Sequence, residues 1–143
     1  MKKHTGKWQG IMIHHTAAPQ NYTLEQIRKI HTDKGWGDIG YHYVIIIKNG
    51  RGYLKTGRSD VYQGAHCDTG DYNNTFIGVA VSGNYSEKAV SAALYEDILG
   101  SIAHLCKKYG VKKILGHRDV KATECPGLRF PLAKLKEDIK CVL

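Results

Sequence analysis

Residues Val44 to Ile47 read VIII, an unbroken apolar run that ends at Lys48 and the pair Asn49-Gly50. A strand of this kind has no face to give to water, so both of its sides must be covered. Helices then have to flank a central mixed β-sheet, which places the chain in the α/β class. Asn49-Gly50 is a strong hairpin signal, because both positions of the favoured two-residue turn need positive φ. The remaining strand candidates are GIMIHH, RGYLKTG, DVYQG, TFIGVAVSG and KKILGH.

About three helices complete the pattern. Thr23 with Gln26 three places on forms a capping box, and Leu24, Ile27 and His31 share one face, so a helix is expected from Thr23 to Thr32. A longer one is expected from Glu87 to Tyr109, with Leu94, Ile98, Ile102 and Leu105 on one stripe and Gly110 as its stop. The last opens near Pro131 and turns Leu132, Leu135 and Ile139 inward. A chain of 143 residues with 42% apolar and 24% charged residues is expected to be one domain, residues 1–143, able to bury roughly two-thirds of its surface without staples.

The first ten residues, MKKHTGKWQG, do not read as a secretory leader, and no segment approaches the ~20 apolar residues of a membrane span. Synthesis in the cytoplasm without membrane insertion is the expectation. Cys67, Cys106, Cys125 and Cys141 are accordingly expected as thiols, with Cys106 and Cys141 acting as small hydrophobes inside helices. Lys plus Arg exceed Asp plus Glu by 21 − 13 = 8. Such a balance draws the chain towards a polyanion: nucleic acid, acidic membrane or bacterial wall. The aromatic-basic interleaving of nucleic-acid modules is missing, so a nucleic-acid partner is not expected.

Loops at strand ends are where sites gather. His14 and His15 close the first strand, His117 closes KKILGH, and Cys125 follows in the turn-rich stretch GHRDVKATECPG. Two imidazoles and a thiolate are three ligands of a tetrahedral zinc site with one position left for water, the catalytic arrangement. Such an ion polarises a carbonyl and yields hydroxide near neutral pH. The same residue types also permit a nucleophilic pair, with Cys125 attacking and His117 as base. Alternation along a strand covered on both faces does not choose between His14 and His15. Arg118 is placed either to pair a substrate carboxylate or to form a salt bridge with Asp119 or another acid.

Four ordered stretches, IMIHHTAAP, GWGDIGYHYVI, GAHCDTGDYNNTFIGVAVSGN and GHRDVKATECPG, resemble those of the zinc-dependent N-acetylmuramoyl-L-alanine amidases in the bacteriophage T7 lysozyme and peptidoglycan-recognition-protein superfamily. The similarity runs from about Gly10 to Gly127. It implies one Zn2+ held by His14, His117 and Cys125, with His15 turned into packing or a supporting contact. It also implies Tyr41 beside the metal, and His66 and Asn73 along the substrate groove. Thr123 stands where the phage enzyme has lysine; a hydroxyl donates a hydrogen bond to a developing oxyanion but adds no charge. Recognition proteins that do not cleave often carry serine in place of the cysteine, so Cys125 argues for catalysis. The resemblance thus implies a hydrolase that cuts the bond between N-acetylmuramic acid and L-alanine in peptidoglycan, as a phage or prophage endolysin acting on the wall after release; a monomer is expected. A non-catalytic peptidoglycan-recognition protein is the principal rival.

Overall fold

The apolar run becomes a central strand, as expected. The computed structural model describes all residues, 1–143. In chain order the elements are β1 (Gly10–His15), α1 (Leu24–Asp33), β2 (Tyr43–Lys48), β3 (Arg51–Thr56), α2 (Tyr72–Thr75), β4 (Phe76–Val81), α3 (Ala92–Tyr109), β5 (Lys113–Gly116) and α4 (Leu132–Val142). A single 3-10 turn, His117–Asp119, follows β5. One five-stranded sheet runs β3-β2-β4-β1-β5. Only the β2–β3 hairpin is antiparallel, and its turn residues Asn49 and Gly50 take φ of 52° and 75°. No helix is long and apolar enough to cross a membrane.

Side-chain alternation divides the sheet between two faces. Ile11 and Ile13 join Ile45, Ile77 and Val79 against the inward stripe of α3 and α4, which includes Ile98, Ile102, Leu135 and Ile139. Met12 points the other way, to Phe76 and Cys67, and Val44 packs on that side with Ile27 of α1. His15 therefore belongs to the face packed by α3 and α4, and His14 to the opposite one. The choice between the two histidines is made by which face the long helices occupy, a tertiary fact.

Helix ends follow local chemistry. Thr23 accepts a hydrogen bond from the Gln26 N–H at 3.2 Å, and Gln26 returns one from the Thr23 N–H at 2.7 Å. Gly110 ends α3 in the left-handed region at φ 66°. The start of α3 differs from the expectation: Glu87 and Lys88 fold back in a turn on the Asn84 carbonyl. Ser91 then caps the helix by accepting from the Leu94 N–H. DVYQG is not a strand either, making only an isolated bridge between Lys3 and Tyr62. All four cysteines are free, and Cys141 is exposed rather than buried.

Two histidines anchor loops as neutral rings, His31 from α1 and His42 against β4. His31 accepts the Gly40 N–H at 2.7 Å, and His42 accepts the Gly78 N–H at 3.1 Å while donating to the Tyr62 carbonyl at 2.9 Å. Burial is the main reason that each pKa falls to about 4. With the native value below the ordinary ~6.5, their contribution is present above that pH and is lost as pH falls towards 4. We expect metal-free protein to lose thermal stability from pH 6.5 to 4, with at most about 1.4 kcal/mol per pH unit from His42. Calorimetry across that window checks it, and a flat melting temperature contradicts it.

Candidate metal centre

The parallel register of β1 with β5 pairs Ile13 with Gly116. One residue further along each strand, His14 and His117 come side by side at the carboxyl ends, where open α/β sheets bind ligands. Their rings stand 4.7 Å apart. The loop after the 3-10 turn then brings Cys125 back, and one ligand atom from each of His14, His117 and Cys125 lies within 4.8 Å of the others. Cys125 Sγ is 3.6 Å from His14 Nδ1 and accepts the His15 backbone N–H at 3.4 Å.

Three observations test this trio as a zinc site. His117 Nε2 is buried and has no hydrogen-bond partner, an expense that a metal ligand would remove. Burial, with lesser repulsion from neighbouring cationic groups, lowers the pKa of both His14 and His117, keeping them in the neutral form that ligates. Tetrahedral bonds of about 2.0 Å to nitrogen and 2.3 Å to sulfur place the two donors roughly 3.5 Å apart, close to the His14–Cys125 separation. The donor set fits the ion.

A cysteine nucleophile fits less well. Burial pushes the Cys125 thiol up to about 11, only partly opposed by the His15 N–H and Arg118. Activated cysteines are shifted the other way.

An open cleft of about 350 Å³ borders His117, with Trp36, Cys67, Asp68, Asn73 and Lys121 on its walls. Tyr41 lies against the centre, its ring 5.3 Å from that of His14. Burial first, and then the Cys125 charge, raises its pKa, so the phenol keeps its proton. Thr123 Oγ1 accepts the Cys125 N–H at 3.3 Å, which leaves the hydroxyl hydrogen free to donate. Glu124 is exposed.

Of the expected substrate residues, His66 and Asn73 line the cleft and Arg118 does not. His66 is 6% exposed, and both ring nitrogens are engaged inside the protein, Nδ1 with His14 at 2.9 Å and Nε2 with the Phe76 carbonyl at 3.1 Å. It has no polar atom left for a substrate. Asn73 does reach the cleft, but its Oδ1 accepts the His66 and Cys67 N–H groups. Arg118 pairs with neither a cleft group nor Asp119. It donates to the Gly127 carbonyl at 2.6 Å, clamping the cysteine loop, while Asp119 pairs with Lys136. His15 packs inward and accepts the Tyr85 N–H.

Trp36, Asp68 and Lys121 are cleft residues that motif reading passes over. Lys121 donates to both carboxylate oxygens of Asp68 at 2.6 and 2.7 Å. A lone tryptophan and a long-range ion pair carry no spacing signal that would have revealed them.

Comparison with known proteins gives this arrangement a lineage. The N-acetylmuramoyl-L-alanine amidase family model matches residues 4–128. An N-acetylmuramoyl-L-alanine amidase from Sus scrofa is 32% identical over 131 residues, covering 82% of this chain and 21% of that protein. This chain therefore spans only about a fifth of the mammalian relatives it matches. The endolysin of Enterobacteria phage T3 is 29% identical over 125 residues, covering 82% of this chain and 80% of its own. Among solved structures, the N-acetylmuramoyl-L-alanine amidase LysC from Clostridium intestinale superposes with a TM-score of 0.83 at 30% identity, covering 98% of this chain and 93% of its own. The chain belongs to the amidase type 2 family, within the superfamily of T7 lysozyme and the peptidoglycan recognition proteins.

Proposed function

We propose that the protein is a zinc-dependent N-acetylmuramoyl-L-alanine amidase, hydrolysing the amide that joins the lactyl group of N-acetylmuramic acid to L-alanine in peptidoglycan. The observation that carries this reading is the convergence of two neutral imidazoles and a thiol, one imidazole nitrogen buried without a partner, beside an open cleft. His14, His117 and Cys125 would hold the ion, which when bound supplies Lewis acidity and water of lowered pKa.

The protein's own groups shape the rest. Tyr41, held protonated beside His14, donates a hydrogen bond towards the carbonyl oxygen as charge develops there. Thr123 is tied to the Cys125 backbone through its lone pair and offers its hydrogen to the same oxygen. Neither group adds positive charge. The exposed face of Trp36 and the free amide of Asn73 supply the apolar and polar walls against which a sugar–peptide junction is oriented. The net charge of +8 draws the protein to a carboxylate-rich wall. A lytic role like that of a phage endolysin, acting on the wall after release from the cytoplasm, is the setting we infer.

Digestion of purified peptidoglycan with mass analysis of the products tests the proposal. New L-alanine amino termini without new reducing sugars are expected, and new reducing ends overturn it. Phenanthroline should abolish the activity and added zinc restore it. Activity that survives the chelator but not thiol alkylation points to the cysteine nucleophile instead.

A further inference from the structure

We propose that His66 is a positioning residue, which dictates the nitrogen that His14 presents to the metal. The inference rests on the zinc centre proposed above. The Phe76 carbonyl can only accept, so His66 Nε2, 3.1 Å from it, carries the ring hydrogen. In the neutral ring Nδ1 is then a bare acceptor. It lies 2.9 Å from His14 Nε2, which must carry its own hydrogen, and the lone pair of His14 is left on Nδ1. That is the nitrogen 3.6 Å from Cys125 Sγ. A carbonyl of β4 thus sets, through two imidazoles, the tautomer at the centre.

The surroundings of His66 show a slot built for this ring. Gly78 lies in the middle of β4, where glycine is destabilising relative to alanine. A Cβ there would come 2.5 Å from His66 Cδ2 and 2.6 Å from Cγ. A Cβ on Gly64 would overlap the same Cδ2. The Oδ1 of Asn73 accepts the His66 backbone N–H at 2.8 Å and fixes the root of the side chain. Two missing side chains and three hydrogen bonds therefore hold one ring in one place. Partners that orient metal-bound histidines typically affect metal affinity 10–100-fold.

Zinc affinity is measured by competition with a chromophoric chelator for wild type, His66→Leu and His66→Asn. Leucine leaves the His14 N–H without an acceptor, and a 10–100-fold loss of affinity is expected. Asparagine places an oxygen near the position of Nδ1 and should remain within about threefold of wild type, a rescue that mere filling of space does not produce. Nitrogen-15 spectra of the zinc-loaded wild type give a readout independent of any variant, with hydrogens expected on Nε2 of both His14 and His66. A hydrogen on Nδ1 of His14, or a leucine variant as tight as wild type, overturns the inference alone. Wild-type protein that takes up no zinc overturns the centre itself.

Discussion

Cys125→Ser is expected to reduce amide hydrolysis by on the order of 10³-fold, the equivalent of about 4 kcal/mol in the barrier. Serine keeps the shape of the loop, since the Cys125 N–H bond to Thr123 and the Arg118 clamp on Gly127 are made by atoms that the change leaves alone. What goes is the one anionic donor of the trio. A serine hydroxyl does not ionise in place of the thiolate, so two neutral nitrogens are left to hold a divalent ion. Zinc content by elemental analysis should fall together with the release of L-alanine amino termini. A variant with full zinc and a tenth or more of the wild-type rate defeats this assignment of Cys125.

Gly127→Ala is expected to cost about 3 kcal/mol of stability, lowering the melting temperature by roughly 10 °C in a chain of this length. Gly127 has a φ of 117°, and a Cβ there would run into the Tyr85 carbonyl carbon and sit 2.6 Å from its oxygen and 2.7 Å from the Ser86 nitrogen. Those are backbone atoms held in place, since the Tyr85 carbonyl accepts the Arg129 N–H at 2.7 Å and the Tyr85 N–H is bound by His15. Neither side can yield cheaply. Calorimetry reads the shift, and a fall of less than 2 °C contradicts the steric account. The effect should be felt at the centre too, because Gly127 lies two residues after Cys125.

Features written in short-range chemistry were legible in the sequence. Asn49-Gly50, the Thr23–Gln26 box and Gly110 each act through their own backbone, and each marks the boundary expected of it. The start of α3 was misplaced because residues 87 to 91 carry no breaker, and the fold-back on Asn84 with the Ser91 cap decides the matter locally. DVYQG has strand-like residues, yet Tyr62 meets only Lys3 and no strand is available to extend the pairing. Within the centre, the motif order led to His14, His117 and Cys125, which the fold brings together. His66 lines the cleft as expected, yet its ring nitrogens, like the Arg118 guanidinium, are engaged in bracing the site from behind. A polar side chain near a ligand reads the same whether it faces the cleft or braces the wall behind it, and only the partners of its nitrogens tell the two apart. The glycines at 64 and 78 held the available clue, since each marks a place where something large comes close to the backbone.

The seam between β1 and β5 is only four residue pairs long, and it joins segments from opposite ends of the chain. A cation held by His14 on one side and by His117 and Cys125 on the other, as proposed above, would rivet that seam. The unfolded chain, with these positions scattered, has no comparable grip. Mass action then ties the cohesion of the fold to its surroundings: above saturation, each tenfold rise in free ion adds about 1.4 kcal/mol in favour of the native state.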